Sequence, residues 1–233
     1  MSEKRVIVAI DGPAGAGKST LARRVADKLG FVYINSGAMY RAVALWALRI
    51  GANLSDMHKL EQLAKAAKIE LTPGSGQVFL NGEDVTEAIR EARVSDAASQ
   101  ISMVPGVRRA LLALQRTMAE QNSVVMEGRD IGSVVFPKAQ VKIFLDAEAN
   151  ERARRRTLEL ERDGLAADVQ SVANQITERD NRDRKRKEAP LVQAPDAELI
   201  DTTGLSLDQV EEIVLKLIRA RTSNGKEAAR SSS

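Results

Sequence analysis

The sequence predicts an α/β fold, with five parallel strands flanked by helices on both faces, interrupted by one inserted segment. Three observations predict it. The apolar run Val6–Ile10 passes directly into "DGPAGAGKSTLARR". Downstream, short apolar runs alternate with helical patterns, as a parallel sheet with crossover helices requires. Between about residues 54 and 102 the alternation breaks, so that piece reads as an insertion.

The elements follow in order. Val6–Ile10, closed by Asp11-Gly12-Pro13, reads as a strand buried on both faces. A helix starts at Lys18, with Leu21, Val25 and Leu29 on one face and Gly30 as its C-terminal cap. Phe31–Asn35 is a second strand, and "MYRAVALWALRI" a helix with Val43, Ala44, Ala47 and Ile50 facing inward. In the insertion, Ser55 is placed to cap a helix through "HKLEQLAKAAK". "IELTPGSGQVFLNGEDV" then alternates like a small antiparallel hairpin, with turns at Pro73-Gly74 and Asn81-Gly82. Broken helical material runs to Pro105-Gly106.

Alternation then resumes. Val107–Gln121 is a helix, "SVVMEGRD" a strand ending at Glu127-Gly128, and "VKIFLDA" another strand. Helices over Glu148–Arg162 and about Asp168–Lys187 follow, then the strand "ELIDTT" and a helix over Leu205–Arg221. Residues 222–233 are polar and are expected to be disordered.

Composition narrows the class. The chain has 233 residues, 43% hydrophobic and 29% charged, the balance of a soluble globular protein. No run approaches the ~18 apolar residues of a membrane helix. The first residues lead straight into a strand and leave no room for a signal peptide. There is no cysteine, which excludes disulfides and thiolate metal sites. A cytoplasmic location with no membrane contact is expected. The net charge of +3 suits an anionic partner without identifying one.

Gly12, Gly17, Lys18 and Ser19 fit G-x-x-x-x-G-K-[ST], with a strand before and a helix after, the setting of a P-loop NTPase. The loop Gly12, Pro13, Ala14, Gly15, Ala16, Gly17 lets backbone N–H groups face a phosphate, aided by the following helix N-terminus. Lys18 reaches the outer phosphates, and the hydroxyl of Ser19 or its neighbour Thr20 ligates Mg²⁺. A nucleoside triphosphate is therefore the expected ligand, and the loop alone leaves ATPases, GTPases and kinases open. No N-K-x-D guanine-reading motif is present, which argues against a GTPase.

"SGAMYR" and "EGRDIG" both follow strands, at the edge where open parallel sheets bind ligands. Ser36 and Arg41 are placed there to hold a phosphate, and Glu127 to orient Mg²⁺ through water. Between Asn150 and Pro190 eleven basic residues are interleaved with nine acidic ones. Most suit solvated ion pairs, and that balance argues against nucleic acid as a partner. Arg179, Asp183 and Arg186, however, share one helical face at i, i+4, i+7. Arginine suits phosphate, and an adjacent carboxylate suits a sugar hydroxyl or base amine. His58 is expected on the surface and Trp46 in the core.

The phosphate loop followed by "NSGAMYR", "AASQ", "GRDIGSVVFP", "KIFLDA" and "ERDNRDRKRKEAPL" resembles the bacterial cytidylate kinase family, from about Val6 to Leu217. The resemblance implies an ATP- and Mg²⁺-dependent transfer to CMP or dCMP by a monomer. It also implies a monophosphate-binding insertion at 54–102 and a lid at 151–190, set in a core of 1–53, 103–150 and 191–221. Carried over by motif, Ser36, Arg41 and Arg129 grip the acceptor phosphate, and Ser99, Arg108 and Asp130 read cytosine. Arg179, Asp183 and Arg186 contact sugar, base or phosphate, and Arg155 and Arg156 act as arginine fingers beside Lys18. Two departures stand out: Ser19 where many relatives have glycine, and Glu127 where relatives often have aspartate. Another acceptor, UMP or AMP, is the rival reading among kinases.

Overall fold

The computed structural model describes residues 5–72, 76–162 and 168–230. Its centre is a five-stranded, all-parallel sheet. Strands β1 (Ile7–Asp11), β2 (Val32–Asn35), β6 (Val124–Gly128), β7 (Val141–Asp146) and β8 (Glu198–Asp201) lie in the order β2-β6-β1-β7-β8. In β1, Val8 and Ile10 face one layer of helices while Ala9 faces the other, which is why this strand reads as an unbroken apolar run. One layer is α1 (Lys18–Leu29) with α8 (Leu207–Arg230), whose Leu21, Val25, Val210 and Val214 pack on Val8, Ile10, Ile143 and Leu145.

On the opposite face, Ala9, Ile34 and Met126 meet the end of α5 (Pro105–Met118) and a π-helical turn at Ile131–Val135. Helix α2 (Ser36–Arg49) leaves β2 and carries the inserted elements. These are α3 (Met57–Ala66), the antiparallel strands β3 (Ile69–Leu71), β4 (Val78–Leu80) and β5 (Glu83–Asp84), a 3-10 turn at Ala88–Arg90, and α4 (Ala92–Ile101). Leu60, Ile69, Leu80, Val94 and Ile101 form one core with Val43 and Leu45 of α2 and Leu111 of α5. The insertion is therefore anchored on the main body through α2 and α5. Helices α6 (Ala149–Arg162) and α7 (Val169–Lys185) form the charged pair between β7 and β8.

Several details differ from the sequence expectation. Asp56, not Ser55, caps α3, accepting from the Lys59 N–H at 3.0 Å. Both residues prefer that position, and the helix begins one residue later than expected. Ile50 is 49% exposed because α2 stops at Arg49 and turns it outward. Helix α8 continues to Arg230 where disorder was expected from 222, an extension that "KEAAR" favours through its helix propensity. The expected Pro73-Gly74 turn and residues 231–233 lie outside the described residues. The Asn81-Gly82 turn is present, with φ of 53° and 85°, the left-handed pair a tight hairpin needs. The π-helical turn carries no sequence signature. Among the described residues, no helix is long and apolar enough to cross a membrane.

Candidate active site

Because every strand of the sheet is parallel, their C-terminal ends share one edge. Asp11 of β1 lies in register with Gly128, and Asn35 of β2 with Glu127. The loop after β1 wraps this edge. At Gly12 (φ 148°) an added Cβ would strike the Leu145 carbonyl, so the chain crosses β7 there only as glycine. Lys18 opens α1 with its side chain buried, and its ammonium donates to the Pro13 carbonyl at 2.6 Å. Burial, then the nearby Arg129, lowers the Lys18 pKa to about 7.

Asp11 fixes the second wall. Its carboxylate accepts from the Ile131 N–H at 2.8 Å and the Gly132 N–H at 2.7 Å. These bonds tie the end of β1 to the π-helical turn, holding Arg129 and Asp130 just ahead of it. Burial raises the Asp11 pKa to about 7, although the two backbone donors oppose the shift. Beside it, the Ser36 hydroxyl donates to the Glu127 carbonyl at 2.6 Å, and the Tyr33 hydroxyl to a Glu127 carboxylate oxygen at 2.8 Å. Asn35 caps α2, accepting from the Ala38 N–H, which sets Ser36 and Arg41 on the inward side of the first turns.

These walls enclose a cavity of about 190 Å³. The phosphate loop contributes Ala14, Gly15, Gly17, Lys18, Ser19 and Thr20. Helix α2 contributes Ser36 and Arg41, and the loop after β6 contributes Arg129 and Asp130 beside Glu127. Ser99 of α4, Arg108 of α5, Arg156 of α6, and Arg179, Asp183 and the helix-end Arg186 complete the lining, with Arg186 and Arg108 both reaching Ser102. Arg108 pairs with Asp130 and lies over the Tyr40 ring, 5.8 Å from its centroid. A second cavity of about 370 Å³ adjoins this one past Arg41.

The electrostatics are those of an anion site. Burial, then neighbouring Arg129, brings the Arg179 pKa down to about 9, and burial also lowers Arg41 and Arg186. Six arginines and a lysine crowd here against four carboxylates. Ser99 Oγ, Arg41 Nε, Arg179 Nε and Arg186 Nη2 are buried without a hydrogen-bond partner. Such atoms are costly to leave unmatched, and a phosphate or a base edge would satisfy them.

Nearly all the residues singled out from the sequence meet in this cavity. Gly12, Pro13 and Ala16 stand behind it and shape the loop; Ala16 belongs to the core under α1. Arg155 is the clear exception. Glu151 takes its Nε at 2.8 Å and Thr202 both of its Nη groups at 2.8–2.9 Å. It lines an adjoining groove of about 300 Å³, which shares Gly15 and Thr20 with the cavity and adds Leu205 and Leu207. Successive helix residues point about 100° apart, and here Arg156 turns to the cavity and Arg155 to the adjoining groove. Sequence reasoning missed Asp11, Tyr33, Arg152 and Asp180. A charged residue ending a buried strand was the available signal for Asp11; the others had none.

The family model for cytidylate kinase matches residues 8–220. A cytidylate kinase of Solibacter usitatus (strain Ellin6076) is 59% identical over 227 residues, covering 97% of each chain. One of Pelotomaculum thermopropionicum (strain DSM 13744 / JCM 10971 / SI) is 52% identical over 222 residues, 94% of this chain and 96% of its own. Among solved structures, an uncharacterized protein from Eubacterium ventriosum ATCC 27560 shares the fold. Its TM-score is 0.51 at 13% identity, over 91% of this chain and 97% of that one. The motifs that assemble the cavity thus lie within a match spanning nearly the whole sequence, and the chain belongs to the cytidylate kinase family.

Proposed function

We propose that the chain transfers the γ-phosphoryl group of ATP to CMP or dCMP, giving ADP and CDP or dCDP. One observation carries this reading. The phosphate loop and the Ser99, Arg108 and Asp130 group face into one cavity whose buried donors lack partners. Cytosine offers an amine for the Asp130 carboxylate to accept. Its O2 and N3 are acceptors, matched by serine and arginine donors. A base that left these groups unpaired would be rejected.

The acceptor phosphate is already an anion, so no general base is needed. One of its oxygens forms a bond to the γ-phosphorus, the bond to the β-phosphate oxygen breaks, and ADP leaves. The residues align the two phosphates and neutralise charge. Ser36, Arg41 and Arg129 hold the acceptor, Lys18 spans the donor's outer phosphates, and Arg156 reaches the transferred group. Arg179, Asp183 and Arg186 complete the acceptor side. Arg155 belongs to the groove on the donor side, where Thr20 and Leu205 offer a surface for the adenosine end.

The described residues contain no cluster of three or more His, Asp or Glu able to hold a metal. That fits Mg²⁺, which binds through few protein ligands and the substrate's own phosphates. The Ser19 hydroxyl and, through water, the Glu127 carboxylate would hold it. When bound, the ion supplies charge neutralisation across the donor's phosphates.

The segment 54–102 serves as the monophosphate-binding unit, 151–190 as the lid, and 1–53, 103–150 and 191–221 as the core, in a cytoplasmic monomer without nucleic-acid partners. The test is a coupled assay of ADP release with CMP, dCMP, UMP, AMP and GMP offered in parallel. Fast turnover with CMP and dCMP, slower with UMP and negligible with purines, is the expected result. Turnover confined to AMP would overturn the acceptor assignment.

A further inference from the structure

The two charged helices take hold of one residue of the phosphate loop, Ala14, by the peptide groups on either side of it. On α7, the Asp180 carboxylate accepts from the Ala14 N–H at 3.2 Å. On α6, Arg152 donates through Nη1 to the Ala14 carbonyl at 3.0 Å and through Nε to the Ala147 carbonyl at 3.0 Å. Arg152 and Asp180 also pair with each other, and their side chains are only 9% and 8% exposed. Contact is close enough that a Cβ on Gly15 would lie 2.8 Å from the Arg152 carbonyl.

Neither Arg152 nor Asp180 lines the cavity, whereas their immediate dependents do. Ala14 belongs to the loop that cradles phosphate. Asp180 is one residue from Arg179 and three from Asp183, all on α7, and those two side chains lie in the cavity. A single buried ion pair therefore connects the donor loop to the acceptor side through rigid helix.

We propose that Arg152 and Asp180 are positioning residues that couple the two substrate sites, so that a triphosphate on the loop tightens the binding of CMP. The proposal rests on the donor and acceptor assignments made above. A triphosphate seated on the loop fixes the backbone on both sides of Ala14, and with it the pair that sets α7. The ordering cost met by the first ligand is then absent for the second. By linkage, CMP tightens triphosphate binding by the same factor.

Titration calorimetry of the full chain tests this. The Kd of CMP is measured alone and with saturating Mg²⁺ and β,γ-methylene ATP, and the ratio of the two is the coupling factor. For the native chain a factor of about fivefold or more is expected. In Asp180→Asn it falls close to one, while CMP alone still binds. The double variant Arg152→Met/Asp180→Leu replaces the buried pair with apolar side chains, an exchange that folded proteins often tolerate. It gives the same loss of coupling if Asp180→Asn does not fold. A pair that is only structural would lower Tm and leave the coupling factor native, and that result overturns the proposal. So does a native factor near one. Failure of the native chain to bind CMP at all would instead overturn the acceptor assignment itself.

Discussion

Arg129 donates through Nε to the Asp183 carboxylate at 2.9 Å, joining the loop after β6 to α7. Asp183 is buried, and burial alone would raise its pKa. Arg129, with Arg186 and Arg179, outweighs that and holds the carboxyl below its usual value. Arg129→Met therefore leaves a buried carboxylate short of its main partner. Stability should fall by about 3 kcal/mol, the lower end for breaking a buried pair. Arg129→Met/Asp183→Asn should regain most of that stability, because the orphaned charge is gone, yet remain inactive. Urea unfolding alongside turnover with CMP separates the two effects. Recovery of turnover in the double variant would remove Arg129 and Asp183 from the acceptor site.

Lys18 titrates near pH 7 in the free chain, since burial and Arg129 disfavour its charge. A polyphosphate favours the charged form, so binding must draw a proton from solution once the pH exceeds about 7. The sign follows from linkage. Above that pH the free chain lacks a proton that the complex carries, so affinity falls as pH rises, by at most about tenfold per pH unit. Between pH 7 and 9, ADP affinity should decline and the calorimetric heat should vary with the buffer's ionisation enthalpy. Lys18→Met should bind ADP more weakly and show neither dependence. A native affinity independent of pH over this range would refute the assignment.

Asp130 is the acceptor for the cytosine amine in our reading, held by Arg108 and by the turn that Asp11 anchors. Asp130→Asn keeps the shape, removes the charge and can present an amide donor instead. Uracil carries a carbonyl where cytosine carries its amine. The ratio of kcat/KM for CMP over UMP should fall by about 10- to 100-fold, the range for a hydrogen bond to a charged group. Parallel kinetics with both nucleotides measure it. An equal loss for both would mean that Asp130 supports the site without reading the base.

How much of this was legible in the sequence depends on the range of the interaction. The phosphate loop and α1 were legible because their determinants are local: two glycines, a lysine and a capped amphipathic helix. Arg179, Asp183 and Arg186 were legible because helical spacing alone puts them on one side. Arg155 and Arg156 could not be separated, since which neighbour faces the cavity depends on Glu151 and Thr202, the latter 47 positions away. Asp11 escaped notice because its partners, Ile131 and Gly132, are 120 residues distant and sit in a π-helical turn without a local signature. Arg152 and Asp180 were hidden among eleven basic residues whose alternation with acids suits a solvated surface.

Two glycines of the phosphate loop should fail in opposite ways. Gly12 has φ of 148°, and a Cβ there would overlap the Leu145 carbonyl, which is backbone and cannot rotate aside. Gly17 has φ of 85° and nothing within 4 Å of an added Cβ, but it lines the cavity. Gly12→Ala adds a steric clash to backbone strain, so about 3 kcal/mol or more of stability should be lost. Gly17→Ala carries the strain alone, about 1–2 kcal/mol. Its methyl group occupies space over the loop, so ADP affinity should fall far more than stability does. Tm and ADP Kd for the two variants should therefore rank in opposite orders. Equal thermal losses would mean that φ strain, rather than contact with β7, sets the requirement at Gly12.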